Sequence, residues 1–228
     1  MLESIRNLIS ENYEYTMRRQ EMELKYIHTQ INEHFLYNTL DSIHWIAQKN
    51  HVPEISNIIF NLSSFYRLTL SGGNELIPIS SVIQIFQAYV ELVNIRLNRK
   101  VHLICRVEDG IRSRSVLKYI FQPVLENSIY HGINKSDHDG IVAVHFLQEE
   151  NGGILCQIRD NGIGMDPLTL ERLRRSLSSD QDYAGDFFAL KNIQKQLKLY
   201  YGDSSSLVIE SEWGKGTKVS IHIPKTEG

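Results

Sequence analysis

The chain has 228 residues, with 24 Lys plus Arg against 27 Asp plus Glu and a formal net charge of −3. That near-balance excludes a global electrostatic pull towards nucleic acid or an acidic membrane surface. Two cysteines in a chain this long exclude a disulfide framework, no apolar run approaches the roughly 18 residues of a membrane-spanning helix, and Met1 opens no signal peptide, so a soluble protein of a reducing compartment is expected.

Residues 1–50 contain neither Pro nor Gly and are rich in Glu, Gln, Lys, Arg, Leu and Met, which predicts helix. At about 100° per residue, Leu24, Ile27, Ile31, Phe35 and Trp45 fall in one apolar stripe, and Leu36, Leu40, Ile43 and Ala47 in a second. Two stripes on one helix require neighbours on two sides, as in a four-helix bundle made when a helical hairpin dimerises. Pro53 closes this segment. Ile55 to Leu70 forms a second helix, stopped by Ser71-Gly72-Gly73, and Ser80-Ser81 can cap a third reaching about Asn98.

Beyond residue 100 the period changes to two. Val101, Leu103, Cys105 and Val107 alternate, as do Val142, Val144 and Phe146, then Val219, Ile221 and Ile223, and Ile154 to Ile158 is strand-like. Helices are predicted at about 114–133, 166–177 and 188–201. The expected fold is α+β: all-α dimerisation helices over residues 1–98, then an α/β sandwich over 99–228 with a mixed sheet covered by helices on one face.

Two stretches of the second region carry chemistry. Glu126-Asn127, with His131-Gly132 a turn later, lies in the helix-like run, and Asp160-Asn161-Gly162-Ile163-Gly164 starts where a strand ends. D-N-G alone is also an ordinary hairpin turn. Paired with the helical carboxylate and amide, it suits a purine triphosphate held through a divalent ion. Asp160 can accept from an exocyclic adenine amine, and the glycines admit a close backbone approach. Asn127 offers a hard oxygen to Mg²⁺, which usually keeps several waters and shares phosphate oxygens.

His34 sits at the edge of the first stripe, and Asn38 follows one turn later, about 40° round the helix. A lone histidine there is ordinarily packing or a surface hydrogen bond. With an ATP site downstream, a phosphate-accepting imidazole becomes the preferred reading, since neutral histidine is a competent nucleophile. The nine histidines show no paired zinc-ligand spacing. Glu171-Arg172-Leu173-Arg174-Arg175 reads as a solvated helix face, Tyr200-Tyr201 and Trp213 as packing, and the polar stretch Ser176 to Gly185 as a mobile lid.

The run Gln30-Ile31-Asn32-Glu33-His34-Phe35-Leu36-Tyr37-Asn38-Thr39-Leu40 resembles the phosphoacceptor motif of LytS/YesM-like sensor histidine kinases. The later motifs resemble the Bergerat (GHKL) ATP-binding domain that those kinases share with Hsp90, gyrase B and MutL. This resemblance implies autophosphorylation of His34 by ATP, transfer to an aspartate of a response regulator, and a homodimer. It implies roles for Glu126 in polarising the reaction, for Asn127 on Mg²⁺, and for His131 beside the nucleotide. It places Asp160 on the adenine, with Gly162 and Gly164 beside it, and matches Gly214, Gly216 and Thr217 to the closing G-x-G-T. Asn38 is expected to serve phosphatase activity towards the regulator. Such kinases usually carry transmembrane and sensor segments upstream, so the chain is expected to be the cytoplasmic portion of a cell-membrane receptor, touching the membrane only through those missing segments.

Two positions depart from the pattern. Glu33 stands where Pro is common. The second glycine box, often G-x-G-L-x-N, reads Phe187-Phe188-Ala189-Leu190-Lys191-Asn192, which keeps only Leu190 and Asn192 of the fixed residues. Phosphates at a helix N-terminus need exposed amides, which glycine eases. A catalytically weak nucleotide-binding scaffold is therefore the alternative, with a GHKL clamp-type ATPase behind it.

Overall fold

The computed structural model describes residues 35–70, 75–97, 100–178 and 187–225. His34, the stripe residues before Phe35, and residues 179–186 of the expected lid lie outside the described residues. The chain divides into two compact units, Met1–Ser64 and Phe65–Gly228.

In the first unit, α1 is described over residues 35–49, and α2 (Pro53–Leu70), whose last turns from Phe65 belong to the second unit, follows after a tight turn. His51 adopts the left-handed region at φ 55°, and Val52 N–H donates to Ala47 O at 3.0 Å, closing the end of α1 as a left-handed C-cap does. Pro53 opens α2 where Ile55 was expected to. A proline at the first helical position lacks only an N–H that would have no intrahelical partner. Leu40 and Ala47 of the second stripe are buried, together with Ser56 and Ser63 of α2, and His44 Nδ1 lies 3.0 Å from the Ser56 carbonyl oxygen. Phe35 and Trp45 of the first stripe are 70% and 61% exposed.

In the second unit, α3 runs Ile79–Arg96 from an extended Pro78 rather than from Ser80, and buries Ile79, Val82, Ile85, Phe86, Val90 and Val93. Its neighbours are a five-stranded sheet of β2 (Val101–Val107), β4 (Gly140–Gln148), β5 (Ile154–Asp160), β6 (Ser206–Glu212) and β7 (Gly216–Ile223), in the order β2-β4-β5-β7-β6. Only β2–β4 is parallel; the other pairs are antiparallel. Alternation decides the faces. Val142, Val144, Phe146, Cys156, Ile158, Val219 and Ile221 are buried towards the helices, while His102, Ile104, Arg106, Ile141 and Val208 stand on the exposed face. Phe121 and Phe146 meet edge to face at 5.3 Å in the middle of this core, and burying side chains of this size contributes about 1.5–3 kcal/mol each. Both cysteines are free thiols in strands, and burial pushes Cys105 up to about 11.

The run predicted as one helix over 114–133 is broken into four pieces. Ser115–Leu117 forms β3, paired antiparallel with β1 (Leu76–Pro78), and α4 spans only Gln122–Asn127. A wide turn follows over Ser128–Gly132, then a tight one over Ile133–Lys135. Pro123 explains the late start, because proline is tolerated only in the first helical turn. The two remaining helices, α5 (Pro167–Ser178) and α6 (Phe188–Tyr201), match expectation closely.

Candidate nucleotide-binding site

β5 extends to Asp160, two residues past its apolar run, and so delivers that carboxylate to the end of a central strand. Asp160 is only 3% exposed. Its Oδ1 accepts from Gly162 N–H at 2.9 Å and from Thr217 N–H at 3.2 Å, and its carboxylate also hydrogen-bonds the Ser128 side chain. Burial raises its pKa above the ordinary aspartate value, and these hydrogen bonds oppose the rise without cancelling it.

Glycine is required around it by contact. A Cβ on Gly162 would lie 2.3 Å from the Gly132 carbonyl carbon, so the loop after β5 and the turn after α4 touch backbone to backbone. Gly216 has φ +92°, and a Cβ there would lie 2.1 Å from Asp160 O. Further hydrogen bonds make these loops one frame. Ile163 N–H donates to Gly132 O, Gly214 N–H to Ile163 O at 2.7 Å, and Met165 N–H to Ser211 Oγ at 2.9 Å. Asn161 accepts from Ile141 N–H at 2.7 Å through Oδ1 and returns its own N–H to Ile141 O. D-N-G is therefore not a two-residue hairpin: it leads from β5 into a long loop that ends at α5.

The turn after α4 supplies the facing wall. Ile133 N–H reaches back to Ser128 O, a five-residue step that widens the helix there; such bulges recur at functional sites. Asn127, His131 and Lys135 follow at four-residue spacing along this stretch, and all three line one cavity. The cavity measures about 470 Å³, within the usual size range of a small-molecule site. Asp160 lines it together with the apolar Val124, Ile163, Met165, Leu190 and Ile209, while Gly164, Thr217, Phe187 and Trp213 also contribute to its lining.

Of the residues expected to bind nucleotide, the cavity brings together Asn127, His131, Asp160, Gly164, Leu190 and Thr217. Gly162 and Gly216 shape the frame without lining it. Glu126 is half-buried beside the cavity rather than in its wall, accepting from Gln122 Nε2 at 2.9 Å. Asn192 is exposed on α6, and Asn38 is exposed on α1 in the other unit.

Several lining residues were read otherwise in the sequence or not singled out, and Arg172, Lys135 and Trp213 matter most. Arg172 reaches the cavity from what reads as a solvated face, whereas Arg174 donates to Ile209 O and Arg175 pairs with Glu171. Lys135 is a second cation at the same cavity. Trp213, read as packing, is 63% exposed on the cavity rim. Tyr201, read the same way, does pack: its hydroxyl accepts from Leu117 N–H at 2.8 Å.

Among the described residues no cluster of three or more His, Cys, Asp or Glu side chains could cage a metal. One amide oxygen from Asn127 in a cavity flanked by Lys135 and Arg172 instead fits a Mg²⁺ that takes most of its ligands from phosphate and water.

Sequence comparison matches two family models along the chain. A histidine kinase family model matches residues 22–101, and the model for histidine kinase-, DNA gyrase B- and HSP90-like ATPases matches residues 112–227. The sensor histidine kinase YesM of Bacillus subtilis is 29% identical over 224 residues, covering 98% of this chain and 37% of that protein. The sensor protein LytS of Bacillus cereus is 30% identical over 210 residues, covering 92% and 35% respectively. The sensor protein kinase HptS of Staphylococcus aureus is 27% identical over 230 residues, covering 100% and 43%. The chain thus spans less than half the length of these relatives. With a cavity lined by the Asn127 amide, the strand-end Asp160 and Thr217, the chain belongs to the histidine kinase-, DNA gyrase B- and HSP90-like ATPase family.

Proposed function

We propose that this chain is the catalytic portion of a two-component sensor histidine kinase, which autophosphorylates on His34 with ATP and passes the phosphoryl group to an aspartate of a response regulator. The observation that carries the nucleotide half is the buried Asp160, whose Oδ1 is fixed by two backbone N–H groups in a cavity that apolar side chains, Lys135 and Arg172 also line. A carboxylate so placed accepts from an adenine amine while Lys135 and Arg172 attract the phosphates.

In the proposed reaction the imidazole nitrogen of His34 attacks the γ-phosphorus. The new P–N bond forms as the bond to the β–γ bridging oxygen breaks, ADP leaves, and the imidazole proton passes to solvent with Glu126 polarising the site. Bound at Asn127, Mg²⁺ would neutralise charge on the phosphate oxygens. We assign dimerisation and phosphotransfer to residues 1–98 and nucleotide binding to 99–228. Asn38 is assigned to orienting a water against the regulator's aspartyl phosphate, because an amide can both accept from and donate to that water. The working form is a homodimer on the cytoplasmic side of a membrane receptor, with no nucleic-acid partner.

Acid-labile phosphate on His34 is the test. Incubation with γ-labelled ATP should label the protein, and His34→Gln should abolish the label while leaving ADP affinity nearly unchanged. ATP turnover without any phosphoprotein would favour the clamp ATPase. Binding with neither turnover nor label would favour the scaffold, the reading that Phe187 at the α6 N-terminus supports.

A further inference from the structure

The rim of the cavity carries one large aromatic side chain that packing does not explain. Trp213 is 63% exposed and takes no part in the hydrophobic core, yet it lines the same cavity as Asp160. The main chain beneath it is fixed. Gly214, at φ +80°, donates its N–H to Ile163 O at 2.7 Å, and Lys215 N–H donates to Glu212 O at 3.0 Å. The Lys215 ammonium pairs with the Glu212 carboxylate at 2.6 Å across the same turn. The turn between β6 and β7 is therefore fastened to the loop that presents Asp160, with the indole held out over the cavity mouth.

Asp160 can recognise only the edge of a base, because a carboxylate accepts in the plane of an exocyclic amine. The flat face of a purine, as large as an indole, then lies against apolar walls on the inner side and against water on the outer side. An indole bolted to the loop that holds the base edge is suited to cover that outer face.

We propose that Trp213 stacks on the purine ring of the bound nucleotide and closes the open side of the base pocket. This rests on the nucleotide reading of the cavity. Stacking is indifferent to which purine is bound, since every base has a π-face. Trp213 therefore sets affinity, and Asp160 keeps the discrimination for adenine.

The chain has two tryptophans, Trp45 and Trp213, so Trp45→Phe leaves Trp213 as the sole indole reporter. In the full-length Trp45→Phe chain, ADP should quench and shift the indole emission, saturating with the affinity measured by calorimetry. Trp213→Ala should weaken ADP by about tenfold and Trp213→Phe by much less, as expected for loss and partial retention of one stacked ring. Because Trp213 lies outside the core, the melting temperature without nucleotide should hold in both variants, while the rise produced by saturating ADP shrinks in Trp213→Ala. ADP binding at wild-type affinity by Trp213→Ala, or an indole emission indifferent to saturating ADP, overturns the stacking proposal and leaves the nucleotide site standing. Failure of the wild-type chain itself to bind ADP overturns both.

Discussion

In the proposed site, Asp160 would serve binding against the stability of the empty fold. Its folded-state pKa is raised above that of an exposed aspartate because burial penalises the charged form. The sign follows from linkage. A carboxyl with a raised folded pKa contributes stability below its unfolded value of about 3.9, and that contribution is lost as pH rises through the folded value. Acceptance from an adenine amine needs the ionised form, so nucleotide affinity should fall as pH drops into the window just above about 3.9. Asp160→Asn preserves the shape and an oxygen for Gly162 and Thr217 N–H but removes the charge. It should lose nucleotide affinity by about ten- to hundredfold, the equivalent of a charge-assisted hydrogen bond at about 1.5–3 kcal/mol. It should melt no lower than wild type at neutral pH. Calorimetry with ADP and thermal melting across pH 4–8 check both halves, and a neutral-pH melting temperature well below wild type would mean the charge is structural.

At the scale of elements, the strands that bury one face were legible because alternation has only one cause there: β2, β4, β5 and β7 each carry apolar residues at every second position. The paired β1 and β3 were not, since three residues are too few for a period and their partnership is made across long sequence distance. Pro123 was the missed signal in the 114–133 run. The site divided in the same way. Asp160 and its glycines were legible because close approach demands glycine. Lys135, Arg172 and Trp213 were not, because they come to one cavity only when the turn after α4, helix α5 and the β6–β7 turn converge.

Phe187 poses the sharper question. It caps α6 at φ −116° where glycine is common, yet packs against the core and lines the cavity. We therefore expect Phe187→Gly with Ala189→Gly to lower both stability and nucleotide affinity. Truncating a fully buried Phe costs about 3–5 kcal/mol, and half-buried Phe187 should cost about half of that. Melting and ADP calorimetry on the double variant decide it. Tighter binding with unchanged melting would show instead that Phe187 obstructs the phosphates.

For the whole molecule, the first unit exposes large apolar side chains among its described residues. Leu40 and Ala47 of α1 are buried within that unit, but Phe35, Trp45 and Ile46 of α1 and Phe60 of α2 are each more than half exposed. Large apolar side chains concentrated on one short helical hairpin mark an interaction surface, and the two-stripe pattern of α1 is what a four-helix bundle of two hairpins requires. A second copy of the chain is the partner this pattern fits. Trp45→Glu places a charge in that surface, while Asp160 and the cavity belong to the other unit. The variant should sediment as a monomer, bind ADP with wild-type affinity, and lose most autophosphorylation at concentrations where the wild type is labelled. Loss of ADP affinity in step with the label would mean that the substitution had disturbed the nucleotide unit. A monomeric variant that still labels at the wild-type rate would show that the dimer is not needed to phosphorylate His34.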